Sequence, residues 1–290
     1  MDGAHLGLDV WPAEEPRAVI VAVHGMNDYA NAFAMAGQWW AKNAHITTYA
    51  YDQRGFGRSP NFGRWPGEGA LKADLRAALK AARAAHPDLP LFVLGHSMGA
   101  AVAMTAEAEA PLDADAVILA SPGVWGGRQM SPFYRLTLNL AATLAPGKTL
   151  TGARAQRQST DNIPVLKAML ADPHVIKPTR LDAVLGVVRL MGDAYAEAGD
   201  VEGDILFLYG EKDEIIPLKA IKKTARRISG DVEVRSYENG WHLLFRDLQA
   251  ETVWRDVAAW VEARAAGTGG EASVAAPGGD GQTRSSIADE

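Results

Sequence analysis

The sequence predicts an α/β protein, a mostly parallel, doubly wound sheet with a helical cap inserted late in the chain. Three observations predict it. From Ala18 onward, short β-branched apolar runs alternate with longer Ala-rich, charge-bearing segments, the pattern of parallel strands joined by crossover helices. The runs are apolar throughout, as expected of strands covered by helices on both faces. Between Ser121 and Gly199 the alternation stops and only helix-like segments remain.

Strands are expected at 18–24, 46–51, 91–95 and 116–120, and again at 205–209 and 232–236, each followed by a helix-like segment. Helices are expected at 31–42, 69–86, 98–109, 217–228 and 248–264, several ending at Gly or Pro. Inside the interruption, helical segments fall at 133–144, 165–170 and 181–198, with no convincing strand. The domain plan is therefore a first core part over 1–120, a helical cap over 121–200, a second core part over 201–266 and a disordered tail over 267–290. The tail is Gly, Ala, Ser and charge, with almost nothing to bury.

At 290 residues, 48% hydrophobic and 22% charged, the chain has ordinary globular composition and enough length for a sizeable core. Net charge is −6 and no stretch concentrates Lys and Arg, so nucleic acid is not an expected partner. Cysteine is absent, which excludes disulfides, thiolate metal sites and a cysteine nucleophile. The first ten residues do not read as a signal peptide, and no span approaches the ~18 apolar residues of a membrane helix. A cytoplasmic location is the resulting expectation.

The strongest chemical signal is Gly95-His-Ser-Met-Gly99, lying between an apolar strand and an Ala-rich helix. A bare Gly-x-Ser-x-Gly is weak evidence, but at a strand-to-helix turn it reads as a nucleophile elbow, with Ser97 projecting above the sheet at a helix amino terminus. Serine needs a base, and the order Ser, acid, His leaves one histidine. His5, His24, His45, His86 and His96 precede Ser97, and His174 lies in the cap. His242, in a loop after the last strand, is the candidate. The loop after the preceding strand offers Glu211, Asp213 and Glu214, of which Asp213 is the expected orienting acid. Oxyanion donors are expected from the backbone amides of Met98, just after the nucleophile, and Met26, in the turn shaped by His24 and Gly25.

With those residues in place, the chain resembles the monoacylglycerol lipase and lysophospholipase branch of the α/β-hydrolases, of the serine aminopeptidase S33 type. His24-Gly25-Met26 resembles that family's oxyanion loop, and Asp52-x-x-Gly-x-Gly-x-Ser59 its Gly-rich turn, which is given a structural role. Asp213 and His242 fall at the matching acid and base positions. Ser159-Thr-Asp-Asn-Ile and Asp172-Pro-His in the cap are also similar to family features. Relatives carry more chain before the strand ending near Trp11, including a first edge strand missing or shortened here, so a longer natural amino terminus bearing a leader or anchor is compatible with the sequence.

The resemblance implies a serine hydrolase that cleaves a carboxylic ester through an acyl-enzyme, with a monoacylglycerol or lysophospholipid as substrate. It implies no metal or organic cofactor. Phe133, Leu136 and Leu140, with Leu138 and Leu144, are candidates to line an acyl groove or simply to form cap core. Membrane contact is expected to be at most transient and peripheral. Alternatives are an aminopeptidase or amidase using the same triad and a non-catalytic binding module on a hydrolase scaffold.

Overall fold

The computed structural model describes residues 3–151 and 157–268. The core strands are β2 (Ala18–Val23), β3 (Ile46–Tyr51), β4 (Leu91–His96), β5 (Ala116–Ala120), β8 (Asp204–Gly210) and β9 (Asp231–Tyr237). They pair in parallel, and a short strand β1 (Leu8–Trp11) adds to β3 antiparallel, giving the order β1-β3-β2-β4-β5-β8-β9. This four-residue β1 is the strand expected to end near Trp11. Its short length and half-exposed side chains gave it little apolar signal.

Residue parity decides which face each strand side chain covers. Val19, Val21, Val93, Leu119 and Phe207 point to one side, where they pack on α2 (Glu68–Ala85), α3 (Met98–Glu109) and α7 (Leu218–Ala225). Ile20, Phe92, Leu94, Ile118 and Leu206 point to the other, against α1 (Ala34–Asn43) and α8 (Ala250–Thr268). Trp40 Nε1 donates to the Trp254 carbonyl at 2.8 Å and ties these last two helices together. Helix α3 is buried from Met98 through Ala106. Its Ala, Gly and Met side chains suit a helix pressed between the sheet and further helices, where bulkier residues would overpack.

Between β5 and β8 lie α4 (Pro132–Leu144), α5 (Ile163–Ala171) and α6 (Leu181–Ala196). Two-residue strands β6 (Thr149–Leu150) and β7 (Thr179–Arg180) pair between them. The sequence showed no strand there because two residues carry no periodicity. Helix α6 is more than cap: Leu190, Ala194 and Ala198 just beyond it join the core cluster on the α3 side. Of the expected tail, Gly267 and Thr268 fall within α8, and 269–290 lie outside the described residues.

Candidate active site

Ser97 stands between β4 and α3 with φ 52° and ψ −113°, a left-handed conformation that costs a non-glycine residue on the order of 1–3 kcal/mol. Its neighbours hold it there. The Ser97 amide donates to the Ala120 carbonyl at 3.0 Å, and its carbonyl accepts from the amides of Ala101 at 3.1 Å and Gly123 at 2.9 Å. The flanking glycines are a packing requirement: a Cβ on Gly99 would collide with the Val23 carbonyl, and one on Gly95 would lie 2.5 Å from Ala100 Cα.

His242 arrives from the loop after β9. Its Nε2 accepts from Ser97 Oγ at 2.9 Å and its Nδ1 donates to Asp213 Oδ2 at 2.7 Å. Asp213, in the loop after β8, uses its other oxygen to accept from the amides of Ile215 at 2.8 Å and Ile216 at 3.0 Å. Burial opposes ionisation of this carboxyl. The His242 charge and hydrogen bond, with the two amides, overcome that and hold it below the usual aspartate range. The other carboxylates of the loop are engaged elsewhere. Glu211 pairs with Lys222 at 3.1 Å, and Glu214 accepts from the Gln158 amide at 2.8 Å.

The turn carrying Met26 lies against the nucleophile, since a Cβ on Gly25 would stand 3.2 Å from Ser97 Cβ. Met98 heads α3, where the first amides of a helix have no intrahelical acceptor. His24 shapes this turn as a neutral side chain. Its Nδ1 donates to the Gly25 carbonyl at 2.8 Å and its Nε2 accepts from the Gln53 amide at 2.9 Å, and burial pushes its pKa down.

Two supporting groups were not found by sequence reasoning. His96 donates from Nε2 to the His242 carbonyl at 2.9 Å; burial, reinforced by the His242 charge, pushes its pKa down to about 3, so it stays neutral. Asp28, in the turn after β2, forms a buried ion pair with Arg246, in the His242 loop. Each member of the pair lies between one polar and one aromatic neighbour in the sequence, and nothing local says that the two meet. The Gly-rich turn proves structural: Asp52 accepts from the amides of Ala30 at 2.9 Å and Arg58 at 2.7 Å, and a Cβ on Gly57 would press on its carboxylate.

Phe133, Leu136 and Leu140 all face solvent on the outer side of α4, whose buried residue is Ala142. No described contact joins them to Ser97. Met191 shares a neighbour with the nucleophile: a Cβ on Gly123 would stand 3.3 Å from Met191 Cγ and 3.1 Å from the Ser97 carbonyl oxygen. Among the described residues no group of three or more His, Asp or Glu is placed to hold a metal ion.

A sheet of this order with a serine at the β4 turn, an aspartate after β8 and a histidine after β9 defines an α/β-hydrolase. Residues 14–249 match the family model described as serine aminopeptidase, S33. The chain belongs to that family. It is 30% identical over 263 residues to a monoacylglycerol lipase of Mycolicibacterium smegmatis, covering 89% of this chain and 93% of the relative. It is 26% identical over 284 residues to the monoglyceride lipase of Mus musculus, covering 92% and 90%. A solved monoacylglycerol lipase from Paleococcus ferrophilus superposes with a TM-score of 0.77 at 19% identity, covering 90% of this chain and 99% of that one. With these relatives, the chain is a carboxylic-ester hydrolase.

Proposed function

We propose that this hydrolase cleaves monoacylglycerols or similar single-chain lipid esters through an acyl-enzyme on Ser97. The observation that carries the reading is the continuous hydrogen-bonded line from Asp213 through His242 to Ser97 Oγ, at 2.7 and 2.9 Å. Ser97 Oγ attacks the ester carbonyl as its proton passes to His242 Nε2. The Met26 and Met98 amides receive the charge that builds on the carbonyl oxygen. Asp213 stabilises the imidazolium and keeps Nδ1 protonated. Collapse expels the alcohol, which takes the proton from His242, and water repeats the sequence to release the acid.

Lipid substrate is supported by the relatives' names and by the surface. Helix α4 exposes Phe133 (71%), Leu136 (68%) and Leu144 (75%), a stripe of large apolar side chains of the kind that marks an interaction surface. This stripe rests on the lipid surface during substrate pick-up, and the acyl contacts fall to partly buried residues nearer the nucleophile, Met191 among them. No helix among the described residues is long and apolar enough to cross a membrane.

The test is labelling with a fluorophosphonate, followed by turnover on monoacylglycerols of graded chain length and on an aminoacyl anilide. Labelling lost in Ser97→Ala, with turnover greatest on long-chain monoesters, is the expected result. Exclusive anilide turnover would overturn the lipid-ester reading, and an unlabelled wild type would remove Ser97 as nucleophile.

A further inference from the structure

Helix α5 contributes no buried side chain, yet both of its end residues leave the cap to grip the loops that carry the catalytic groups. Asn162 divides its amide between two tasks. Its Oδ1 caps the helix by accepting from the Val165 amide at 3.4 Å, and its Nδ2 donates to the Arg246 carbonyl at 3.0 Å. Arg246 belongs to the tight turn that starts at His242, its own amide donating to the Leu243 carbonyl at 2.8 Å. At the other end, Asp172 Oδ1 accepts from the His174 amide at 2.8 Å and Oδ2 accepts from Tyr29 Oη at 2.7 Å. Tyr29 follows Met26 by three residues, and its ring packs on His174 with centroids 5.4 Å apart.

The surrounding bonds repeat the pattern. Leu243, next to the base, donates its amide to the Ser159 carbonyl at 2.9 Å, and Leu248 donates to Asp161 Oδ1 at 2.9 Å. The Ile176 amide donates to the Asn27 carbonyl at 2.9 Å, and Asn27 Nδ2 to Thr179 Oγ1 at 2.7 Å. The Asp28–Arg246 ion pair joins the two loops directly. A closed ring results: base loop, Asn162, α5, Asp172, oxyanion turn, and back through Asp28 and Arg246. The carboxyl end of α5 needs no help from Asp172 to stay helical, because Lys177 Nζ donates to the carbonyls of Met169, Leu170 and Asp172 at 2.6–2.9 Å. Nine helical residues make a rigid spacer of about 13 Å.

We infer that α5 is a spacer setting the separation of the general-base loop from the oxyanion turn, and that Asn162 and Asp172 with Tyr29 are positioning residues for His242 and the Met26 amide. The inference rests on the catalytic roles given above. Geometry at these two points governs rate more than binding, since the oxyanion donors and the base act on the transition state.

The test separates helix capping from loop positioning. Asn162→Asp keeps an acceptor for the Val165 amide and removes the donor to Arg246. Tyr29→Phe removes the donor to Asp172 and keeps the ring on His174. Each is expected to lower the rate of fluorophosphonate labelling and kcat in parallel by about tenfold, with KM within twofold and thermal unfolding little moved. Lys167→Ala, on the exposed side of α5, should label as the wild type does. Asn162→Ser, another capping residue without the amide donor, serves if the aspartate variant fails to fold. Wild-type labelling rates in folded Asn162 and Tyr29 variants would overturn the inference while leaving the proposed function standing. A wild type that does not label would instead count against the function.

Discussion

Replacing Asp213 by Asn tests the assignment of the orienting acid with a change of a few atoms. The wild-type carboxylate accepts three hydrogen bonds, one from His242 on Oδ2 and two from the Ile215 and Ile216 amides on Oδ1. An amide has one oxygen and one NH2, so it must choose. With its oxygen on the His242 side, the NH2 faces two buried N–H groups and leaves them unsatisfied, at about 1–3 kcal/mol each. With its oxygen on the backbone amides, the NH2 faces His242 Nδ1, which must then give up its proton. The second arrangement is favoured by about 2–6 kcal/mol in total. It places the imidazole proton on Nε2, where Ser97 needs an acceptor.

The productive tautomer therefore becomes rarer by a factor between about 30 and about 10⁴ at ~1.4 kcal/mol per tenfold, the upper figure matching the loss known for such a change in a Ser-His-Asp triad. The assay is the second-order rate of fluorophosphonate labelling alongside steady-state ester hydrolysis, with Glu211→Gln as control. The expected result is a loss of at least 30-fold in labelling and kcat for Asp213→Asn with KM nearly unchanged, and no loss for the control. A loss smaller than tenfold in a folded protein would refute the tautomer argument and with it the role of Asp213.

Three further outcomes follow from the surroundings of the site. Asp28→Ala strands Arg246 in a buried position and should cost about 3–5 kcal/mol in denaturant unfolding, whereas Asp28→Ala with Arg246→Met should cost less; equal losses would mean that the pair is not coupled. Leu136→Asp on the exposed face of α4 should reduce co-sedimentation with lipid vesicles by tenfold or more, as expected for withdrawing about 1.5–3 kcal/mol of apolar contact, without changing turnover of a water-soluble ester; unaltered sedimentation would dismiss α4 as the contacting face. Asp247 has its pKa raised to about 7, chiefly by burial and further by Asp161, against the amides of Trp241 and Gln249 that it accepts from. The folded chain then binds a proton that the unfolded chain has lost, so stability should fall as pH rises from about 4 to about 7 and level off above. Asp247→Asn, which mimics the protonated form, should flatten that slope in unfolding midpoints measured across this range, and an unchanged slope would assign the pH dependence to other groups.

The core strands and the three side chains that meet at the site, Ser97, His242 and Asp213, were legible in the sequence because each is written locally. Apolar runs covered on both faces stand out in the sequence itself, and the requirement that base and acid follow the nucleophile in fixed order removed every histidine but His242. Asp213 could be preferred over Glu211 and Glu214 only by position, and it is the hydrogen bond to Nδ1 that distinguishes them. The cap was legible as an interruption but not as a surface. Apolar residues at helical spacing look the same whether they line a groove or face out, and α4 turns Phe133, Leu136 and Leu140 outward because Ala142 marks its packed side.

What the sequence hid most completely is the network that joins the His242 loop, the turn after β2 and the ends of α5. Asp28 and Arg246 are separated by 218 residues, Tyr29 and Asp172 by 143, and Asn162 and Arg246 by 84. No local propensity marks such pairs, since each side chain has an ordinary solvated alternative in its own segment. The fold creates them by bringing every loop at the carboxyl ends of the parallel strands to one edge of the sheet, which is where the crevice of an open α/β sheet lies. Once the nucleophile, acid and base are fixed there by strand order, the remaining freedom is the tilt and separation of their loops. Polar side chains from an insertion placed after β5 are in reach of both the turn after β2 and the loop after β9, so the cap can limit that freedom without contributing any reacting group. Sequence motifs in the cap that offer no nucleophile, base or ligand, such as Ser159 to Ile163 and Asp172 to His174, are thereby accounted for by what they bond to.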